Sequence, residues 1–192
     1  MAAARTYPVE IVRRLDPHDL AQPGEDELDR GEEDGLGDNQ QYQDLRGASW
    51  DDVADALDRE AALFERFEAA ADLDAEAERL DEERANAVFP EDDLWGLDVG
   101  VIGATMALSA LGATPVSSCN AGGFGGHHVA RFPYVAFFAT PHQAQLILAI
   151  AEDAAVGLDV IDAGIARLFG RTDVDLHRFG RAALRRFRGA NG

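Results

Sequence analysis

The chain has 192 residues, 46% of them hydrophobic, so it is long enough for a domain with its own core. Its formal net charge of −19 disfavours long-range attraction of nucleic acid, and its single cysteine excludes an internal disulfide. Residues 1–16 lack the basic and apolar regions of a secretory signal peptide, and the apolar run 99–116 is interrupted by Gly112 and Pro115. We therefore expect a cytoplasmic protein with no membrane span.

The charge is concentrated in the first half of the chain. Residues 1–98 hold 30 acidic residues and 9 arginines, whereas residues 99–192 hold 6 acidic residues and 8 arginines. This asymmetry predicts different surroundings for the two halves. We divide the chain into an extended arm with a mobile acidic linker (1–47), an acidic helical hairpin (48–93) and an α+β domain with a glycine-rich loop (94–192).

The N-terminal part has little apolar material. Residues 7–12 are typical of a short strand or an extended arm. Residues 17–47 are rich in proline, glycine and acidic side chains, and such a segment cannot bury enough surface to offset its ordering entropy. The linker is therefore predicted to be mobile.

Two helices are predicted to follow the linker. Ser49 is a suitable N-cap for a helix over 50–70, in which apolar residues recur at helical spacing. Asp72 or Asp74 caps a second helix that runs to about Val88. The pattern fits an antiparallel hairpin or one long bent helix.

From Leu97 onward the order of elements is predicted as α-β-β-α-β-(β)-α. A helix over 97–111 is apolar on nearly all sides and should be buried. Strands over 114–119 and 132–140 should pair antiparallel, and a helix over 141–156, closed by Gly157, should cross over to a parallel neighbour. Short strands near 158–161 and 165–169 and a helix from Asp173 or Asp175 to Phe187 complete an α+β fold. It is a mixed β-sheet with helices packed on one face, preceded by the acidic helical segment.

The glycine-rich loop between the first two strands is the predicted site. Glycine permits close backbone approach to a ligand, and the loop also carries the only cysteine and two adjacent histidines. Candidate catalytic residues are Cys119, His127 and His128. The candidate ligand-binding residues are Ser117, Ser118, Asn120, Gly122, Gly123, Phe124, Gly125 and Gly126.

Three chemistries fit these residues. Cys119 could act as a nucleophile with His127 or His128 as its base, for acyl transfer, thiol transfer or deamidation. The same three side chains, with His142, could bind zinc, although no common ligand spacing supports a metal site. The loop amides could also hold a small polar or anionic ligand, while Phe124 covers an apolar or planar group. The sequence does not identify a cofactor, and the metal content stays unknown.

One short segment resembles a known family. The apolar helix followed by Thr114-x-x-Ser117-Ser118-Cys119-x-Ala121 is similar to a signature of the methyltransferase that acts in the synthesis of tRNA wybutosine. The likeness covers residues 98–121. The family continues with Ser-Gly-Arg, where this chain has residues 120–122, Asn-Ala-Gly, so no family is assigned.

The last predicted helix is rich in arginine: Arg178, Arg181, Arg185, Arg186 and Arg188. These side chains could contact the acidic helices of the same chain, a second copy or another protein. The leading prediction is a small-ligand or partner-binding regulatory protein with its site at Cys119–His128. The alternatives are a thiol-dependent enzyme and an acidic protein-interaction module.

Overall fold

The computed structural model describes residues 5–37, 39, 42–89, 94–125, 130–161 and 164–190. The strands in this part of the chain are β1 (Arg13–Arg14), β2 (Thr114–Cys119), β3 (Tyr134–Phe138), β4 (Gly157–Val160) and β5 (Ala166–Phe169). The α-helices are α1 (Glu25–Asp29), α2 (Gly31–Asp34), α3 (Trp50–Ala69), α4 (Leu73–Arg84), α5 (Ile102–Ala110), α6 (Pro141–Asp153) and α7 (Asp175–Ala190). Short 3₁₀ turns lie at Pro17–Asp19 and Leu94–Gly96.

The strands form one mixed sheet in the order β1-β4-β5-β3-β2. β1 pairs with β4 in parallel, and the other three pairs are antiparallel. The α+β class and the order of elements from α5 to α7 are therefore confirmed. One detail of the prediction was wrong: α6 connects β3 to β4, which run in the same direction, but β5 lies between them. The two short strands form a hairpin, and its second strand inserts next to β3.

The core lies between one face of the sheet and the helices. Val135 and Phe137 of β3 and Leu168 of β5 are buried with side chains from α3, α5, α6 and α7 in one cluster. Every residue from Ile102 to Ser109 of α5 is buried, as its all-round apolar pattern predicted. We call the opposite side, which carries the alternate side chains of the strands, the open face.

The segment predicted as a linker has contacts with the open face. Leu36 and Tyr42 are buried with Val116 and Phe138, and α1 and α2 lie just before them in the chain. Its mobility stays a prediction. Nothing in the local sequence indicated these contacts, because the segment supplies only two large buried side chains and the sheet supplies the remaining apolar surface.

α3 and α4 are separate helices. Ser49 and Asp52 form a capping box at the start of α3, and Ala70 has extended backbone at its end. Asp72 then caps α4, so one long bent helix is excluded. Arg66 of α3 forms ion pairs with Glu76 and Glu83 of α4, and these pairs connect the two helices.

A buried carboxylate joins α3, α5 and α7. Glu60 is fully buried and accepts hydrogen bonds from the amides of Gly100 (3.0 Å), Ile102 (2.9 Å) and Gly103 (3.2 Å). His177 Nδ1 lies 2.7 Å from the same carboxylate. The carboxylate thus binds the N-terminal end of α5, where free amides and the helix dipole favour negative charge.

The other ring nitrogen of His177 contacts an arginine of the same helix. Arg181 Nε donates to His177 Nε2 at 3.4 Å, while Nδ1 of the same ring faces Glu60. Arg181 also donates to Asp58 of α3 at 2.8 Å. The arginine-rich helix therefore contacts an acidic helix of its own chain.

The end of α6 differs from the prediction. Thr140 and Gln143 form a capping box around Pro141 at the start, as expected for this sequence. At the other end, however, Ala155 has a φ of 57°, and Gly157 lies in β4. Gly157 is needed for a different reason, because a Cβ there would overlap the Phe169 ring.

We expect Ala155→Gly to stabilise the protein by about 0.5–1 kcal/mol. An L-residue in left-handed backbone is strained by about 1–2 kcal/mol, and the greater flexibility of unfolded glycine offsets part of that gain. The free energy of unfolding in urea measures the effect. Ala154→Gly is the matched control, since Ala154 has right-handed backbone (φ −87°) and should lose stability.

No helix in the described ranges is both long and apolar enough to cross a membrane.

Candidate functional site

A cavity of about 680 Å³ lies on the open face of the sheet. Its floor is a row of paired residues across three strands: Ser117 of β2, Ala136 of β3 and Arg167 of β5. Tyr134 lies beside this row and also lines the cavity. A volume of this size is typical of sites that bind small molecules.

A bulge in β2 shapes the floor. The register with β3 shifts between Pro115 and Ser117. As a result Val116 packs with the buried cluster on the open face while Ser117 also lines the cavity. Bulges redirect side chains in this way and are frequent near functional sites.

The walls come from segments far apart in the sequence. The other lining residues are Asn39, Gln43, Leu45, Trp95, Gly96, Leu97, Asp98, Thr105, Pro115, Val116, Ser118, Ile161 and Ile165. Asn39 Nδ2 donates to the carbonyl oxygen of Val116 at 2.7 Å, which attaches the 17–47 segment to β2 beside the cavity.

Arg167 is held rigidly in the floor. Its guanidinium donates to Asp159 through Nε (3.0 Å) and Nη2 (2.7 Å), and Asp159 is its partner across the β4–β5 pair. The guanidinium also lies 5.2 Å from the ring centre of Phe132 and 5.4 Å from that of Phe169. Asp159 therefore pairs with the positive charge of Arg167, and the two aromatic rings lie near the guanidinium group.

Trp95 is held in an unusual backbone conformation at the cavity wall. Leu94 (φ 52°), Trp95 (φ 55°) and Gly96 (φ 64°) form a single left-handed turn. Two of these residues have side chains that disfavour it, and such strain clusters at ligand-binding and catalytic sites. Trp95 also lines a second cavity of about 390 Å³, so it lies between the two.

Asp98 links the cavity to the glycine-rich loop. It lines the cavity, and its carboxylate accepts a hydrogen bond from the Asn120 amide at 3.3 Å. The Asn120 side chain donates in turn to the carbonyl oxygen of Val99 at 3.0 Å. The start of the loop is therefore fixed to the segment that carries the cavity wall.

Cys119 lies at the end of β2, opposite Tyr134 in the register. It is half-buried, and the Ala121 amide donates to its sulfur at 3.4 Å. Burial, with a contribution from the negative charge of Asp98, raises the pKa of the Cys119 thiol above its ordinary value. The environment disfavours the thiolate that a nucleophile requires.

The loop amides bond to other groups of the loop. The Gly122 amide donates to Asn120 Oδ1 at 2.8 Å, and the Gly123 amide donates to the Asn120 carbonyl at 3.3 Å. With the Ala121 amide directed at Cys119, three successive amides are engaged. The part of the loop described here is therefore an asparagine-centred turn.

The remaining described loop residues contact the acidic helices. Phe124 stacks on Phe64 of α3 with ring centres 5.1 Å apart, and it crosses Phe67 edge-on. Gly125 lies against the carbonyl of Leu73, where a Cβ would not fit. Packing within the protein therefore accounts for the aromatic ring of Phe124 and for the close backbone approach at Gly125. Neither feature requires a ligand to explain it.

The N-terminal arm closes over the same loop. The Tyr7 hydroxyl donates to Asp173 at 2.6 Å, and both side chains are buried. Arg5 donates through its amide to Asp173 and through its guanidinium to the Gly122 carbonyl. Gly123 lies against Asp173 and Tyr7, leaving no room for a side chain. Burial raises the pKa values of both the Asp173 carboxyl and the Tyr7 hydroxyl.

The predicted site residues thus fall into three groups. Ser117 and Ser118 line the cavity. Cys119 does not line it but is close to two residues that do: Tyr134, its partner across the strands, and Asp98, whose charge acts on its thiol. A second group contacts other parts of the protein through side chains or backbone, and its role in ligand binding stays a prediction. This group consists of Asn120, Gly122, Gly123, Phe124 and Gly125. Gly126, His127 and His128 lie outside the described residues.

The metal prediction gains no support from the described ranges. His142 lies exposed on α6, which follows the end of β3 remote from the Cys119–Tyr134 pair. Among the residues that the structure describes, no three His, Cys, Asp or Glu side chains are grouped closely enough to hold an ion.

Sequence reasoning missed Trp95, Asp98, Tyr134 and Arg167. A signal existed for one of them: side chains alternate between the two faces of a strand, and Arg167 lies between the apolar residues Ala166 and Leu168, which belong to the core cluster. The arginine therefore belongs to the face opposite the helices. Asp98 and Trp95 line the cavity only because the tertiary fold brings their segment next to the sheet. No pattern in the local sequence indicates such a contact.

The comparisons with known proteins add no assignment: no protein-family model, curated protein or solved structure matches this chain.

Proposed function

We propose that this protein binds a small ligand in the cavity on the open face, next to the glycine-rich loop. The observation that carries the proposal is the cavity itself. Hydroxyl, carboxylate, guanidinium and aromatic side chains from three strands and the 94–98 segment converge there on about 680 Å³. A few polar groups set in a largely preformed concave surface are the usual features of a small-molecule site.

The bulge and the left-handed turn add support. The bulge positions Ser117 at the cavity, and the left-handed turn positions Trp95 there. Both are backbone conformations that the local sequence does not favour. Strained or irregular backbone is common where a side chain must meet a ligand. The regulatory role predicted for the chain would then consist of sensing the bound molecule.

A pocket-filling variant tests this proposal. Ser117→Phe projects a ring into the cavity, whereas Ser117→Thr adds one methyl group and keeps the hydroxyl. Each purified protein is incubated with a small-molecule cell extract, desalted and analysed by native mass spectrometry. We expect the unmodified protein and Ser117→Thr to retain the same molecule, and Ser117→Phe to lose it.

Circular dichroism of the two variants establishes that both are folded. Retention that is unchanged in folded Ser117→Phe places the binding elsewhere and refutes the proposed site. Failure of the unmodified protein to retain any small molecule contradicts the function itself.

A thiol-dependent enzyme is the second candidate, because Cys119 lies in the row next to the cavity floor. The raised pKa of its thiol opposes it. We expect alkylation by iodoacetamide to be slow at neutral pH and to accelerate only above the pH at which an ordinary thiol ionises. The rate is measured against pH for the folded protein and for the protein unfolded in urea. Faster alkylation of the folded protein at neutral pH would favour the enzyme.

The third candidate is an interaction module that uses the acidic helices. Arg181 pairs with Asp58 of α3, and Arg186 pairs with Asp153 of α6 at 3.2 Å. Contacts within the chain therefore engage part of the arginine-rich helix. Self-association through α7 remains a proposal of lower rank than ligand binding.

A further inference from the structure

We infer that the ligand of the open-face cavity is an uncharged molecule with a flat ring and a hydroxyl group. This inference rests on the proposed function and specifies its ligand class. It follows from three features of the cavity: its charged side chains are bound within the protein, its walls are apolar and aromatic, and its floor carries hydroxyl groups.

The charged side chains of the cavity are engaged by the protein. Among the described residues, Asp98 and Arg167 bring one negative and one positive formal charge to the lining. Arg167 is paired with Asp159 through two hydrogen bonds. Asp98 accepts a hydrogen bond from the Asn120 amide, and this contact is not its only interaction. A charged ligand would have to compete with these existing partners.

That competition disfavours a charged ligand. A charged group that enters the cavity gives up its hydration, and a partner that is already bound elsewhere compensates this loss only in part. The formal charge of −19 attracts cations from a distance, but it does not remove the cost of desolvating them. An uncharged ligand leaves both Arg167 and Asp98 with the contacts that they have.

The floor of the cavity offers hydroxyl groups beside a flat resting place. Ala136 lies in the middle of the row, between Ser117 and Arg167, and has the smallest side chain of the three. Tyr134 precedes it by two residues on β3 and therefore belongs to the same face. A ring can rest on Ala136 while Ser117 and Tyr134 lie beside it. Their hydroxyls both donate and accept, which suits a hydroxyl group of the ligand.

The walls favour a ring. The aliphatic side chains among the lining residues include Leu45, Leu97, Ile161 and Ile165, and Trp95 adds an indole. Aliphatic surface stabilises a buried ring by removing it from water, and contact with a second aromatic ring adds to this gain. The walls therefore select the apolar body of the ligand, whereas the floor selects its hydroxyl group.

Four probes that share one ring test the inference: 4-methylphenol, toluene, 4-methylbenzylammonium and 4-methylbenzoate. The chain has two tryptophans, and Trp50 stacks on Phe187 with ring centres 4.5 Å apart. Trp50→Phe keeps an aromatic ring at that stack and leaves Trp95 as the only indole. Its fluorescence, excited where phenols absorb little, then reports occupancy of the cavity.

We expect 4-methylphenol to bind at least about tenfold more tightly than toluene, although toluene leaves water more readily, because only the phenol satisfies the hydroxyls of the floor. Both charged probes should bind at least about tenfold more weakly than 4-methylphenol, because they lose hydration without gaining a released partner. Added salt should leave the affinity for 4-methylphenol unchanged.

Substitutions in the floor locate the recognition of the hydroxyl group. Ser117→Ala should lower the preference for 4-methylphenol over toluene about two- to tenfold, and Ser117→Thr, which keeps the hydroxyl, should retain it. Ser117→Ala combined with Tyr134→Phe should lose the remaining preference. Because the preference compares two probes on one protein, a general loosening of the fold weakens both and leaves their ratio unchanged.

Toluene or a charged probe that binds as tightly as 4-methylphenol overturns the inference, as does a preference that survives the double substitution. A saturable change that persists in Ser117→Phe places the probe outside the cavity and overturns it as well. The absence of saturable binding by all four probes refutes this ligand class. Retention from a cell extract then decides separately whether the cavity binds any small molecule.

Discussion

Glu60→Ala should destabilise the protein by about 3–5 kcal/mol, the largest loss we expect from a single substitution in α3. The change removes the acceptor of three amides at the start of α5 and leaves them buried beside His177 without their partner. The free energy of unfolding in urea, followed by circular dichroism, measures the loss.

Two further substitutions distinguish the effect of losing the buried carboxylate from the effect of changing a residue of the helix. Glu65→Ala alters an exposed glutamate of the same helix and should change stability by no more than about 0.5 kcal/mol. Glu60→Gln keeps one carbonyl oxygen for the amides but adds an NH₂ group that faces other donors, so its loss should be intermediate. Equal stability of Glu60→Ala and Glu65→Ala would refute the anchoring role.

Gly180→Ala should destabilise the protein by about 2 kcal/mol, although alanine favours a helix more than glycine. α5 and α7 cross at Gly103 and Gly180, and a Cβ at position 180 would lie 2.7 Å from the Gly103 carbonyl oxygen. Backbone cannot rotate away as a side chain can, so the helices would have to separate and loosen the core.

Gly189→Ala is the control within the same helix. A Cβ at position 189 would meet nothing within 4 Å, so only helix propensity acts there and a gain of up to about 1 kcal/mol is expected. The two thermal unfolding midpoints should therefore shift in opposite directions. A stabilising Gly180→Ala would show that the helices tolerate a wider separation.

Local signals were enough for the start of α3 and for most of the fold in the second half of the chain. Ser49 and Thr140 are identifiable as helix caps from the sequence alone. Each carries a hydroxyl just before a run of apolar residues at helical spacing, and that hydroxyl accepts a hydrogen bond from a backbone amide of the first helical turn. The buried helix α5 followed from the absence of any polar side. The position of β5 between β3 and β4 could not be predicted, because strand order depends on contacts between distant segments.

The site was predicted less completely, and the reason is physical. The unusual composition of the loop drew attention to its glycines, yet Gly123 and Gly125 lie against protein groups at the arm and at α4. Glu60 was concealed in an acidic helix whose charges all resemble a solvated face until α5 and α7 are placed against it. Asp98 and Trp95 gain significance only when the sheet sets them around one cavity.

The contacts of the arm have a consequence for how the polypeptide reaches its final state. Tyr7 is bonded to Arg171 and Asp173, and β1 pairs with β4 beyond residue 156. On a ribosome these early residues cannot dock until the chain as far as Asp173 has emerged. Their docking therefore follows the synthesis of β4 and β5, and the loop beneath them is covered only after that.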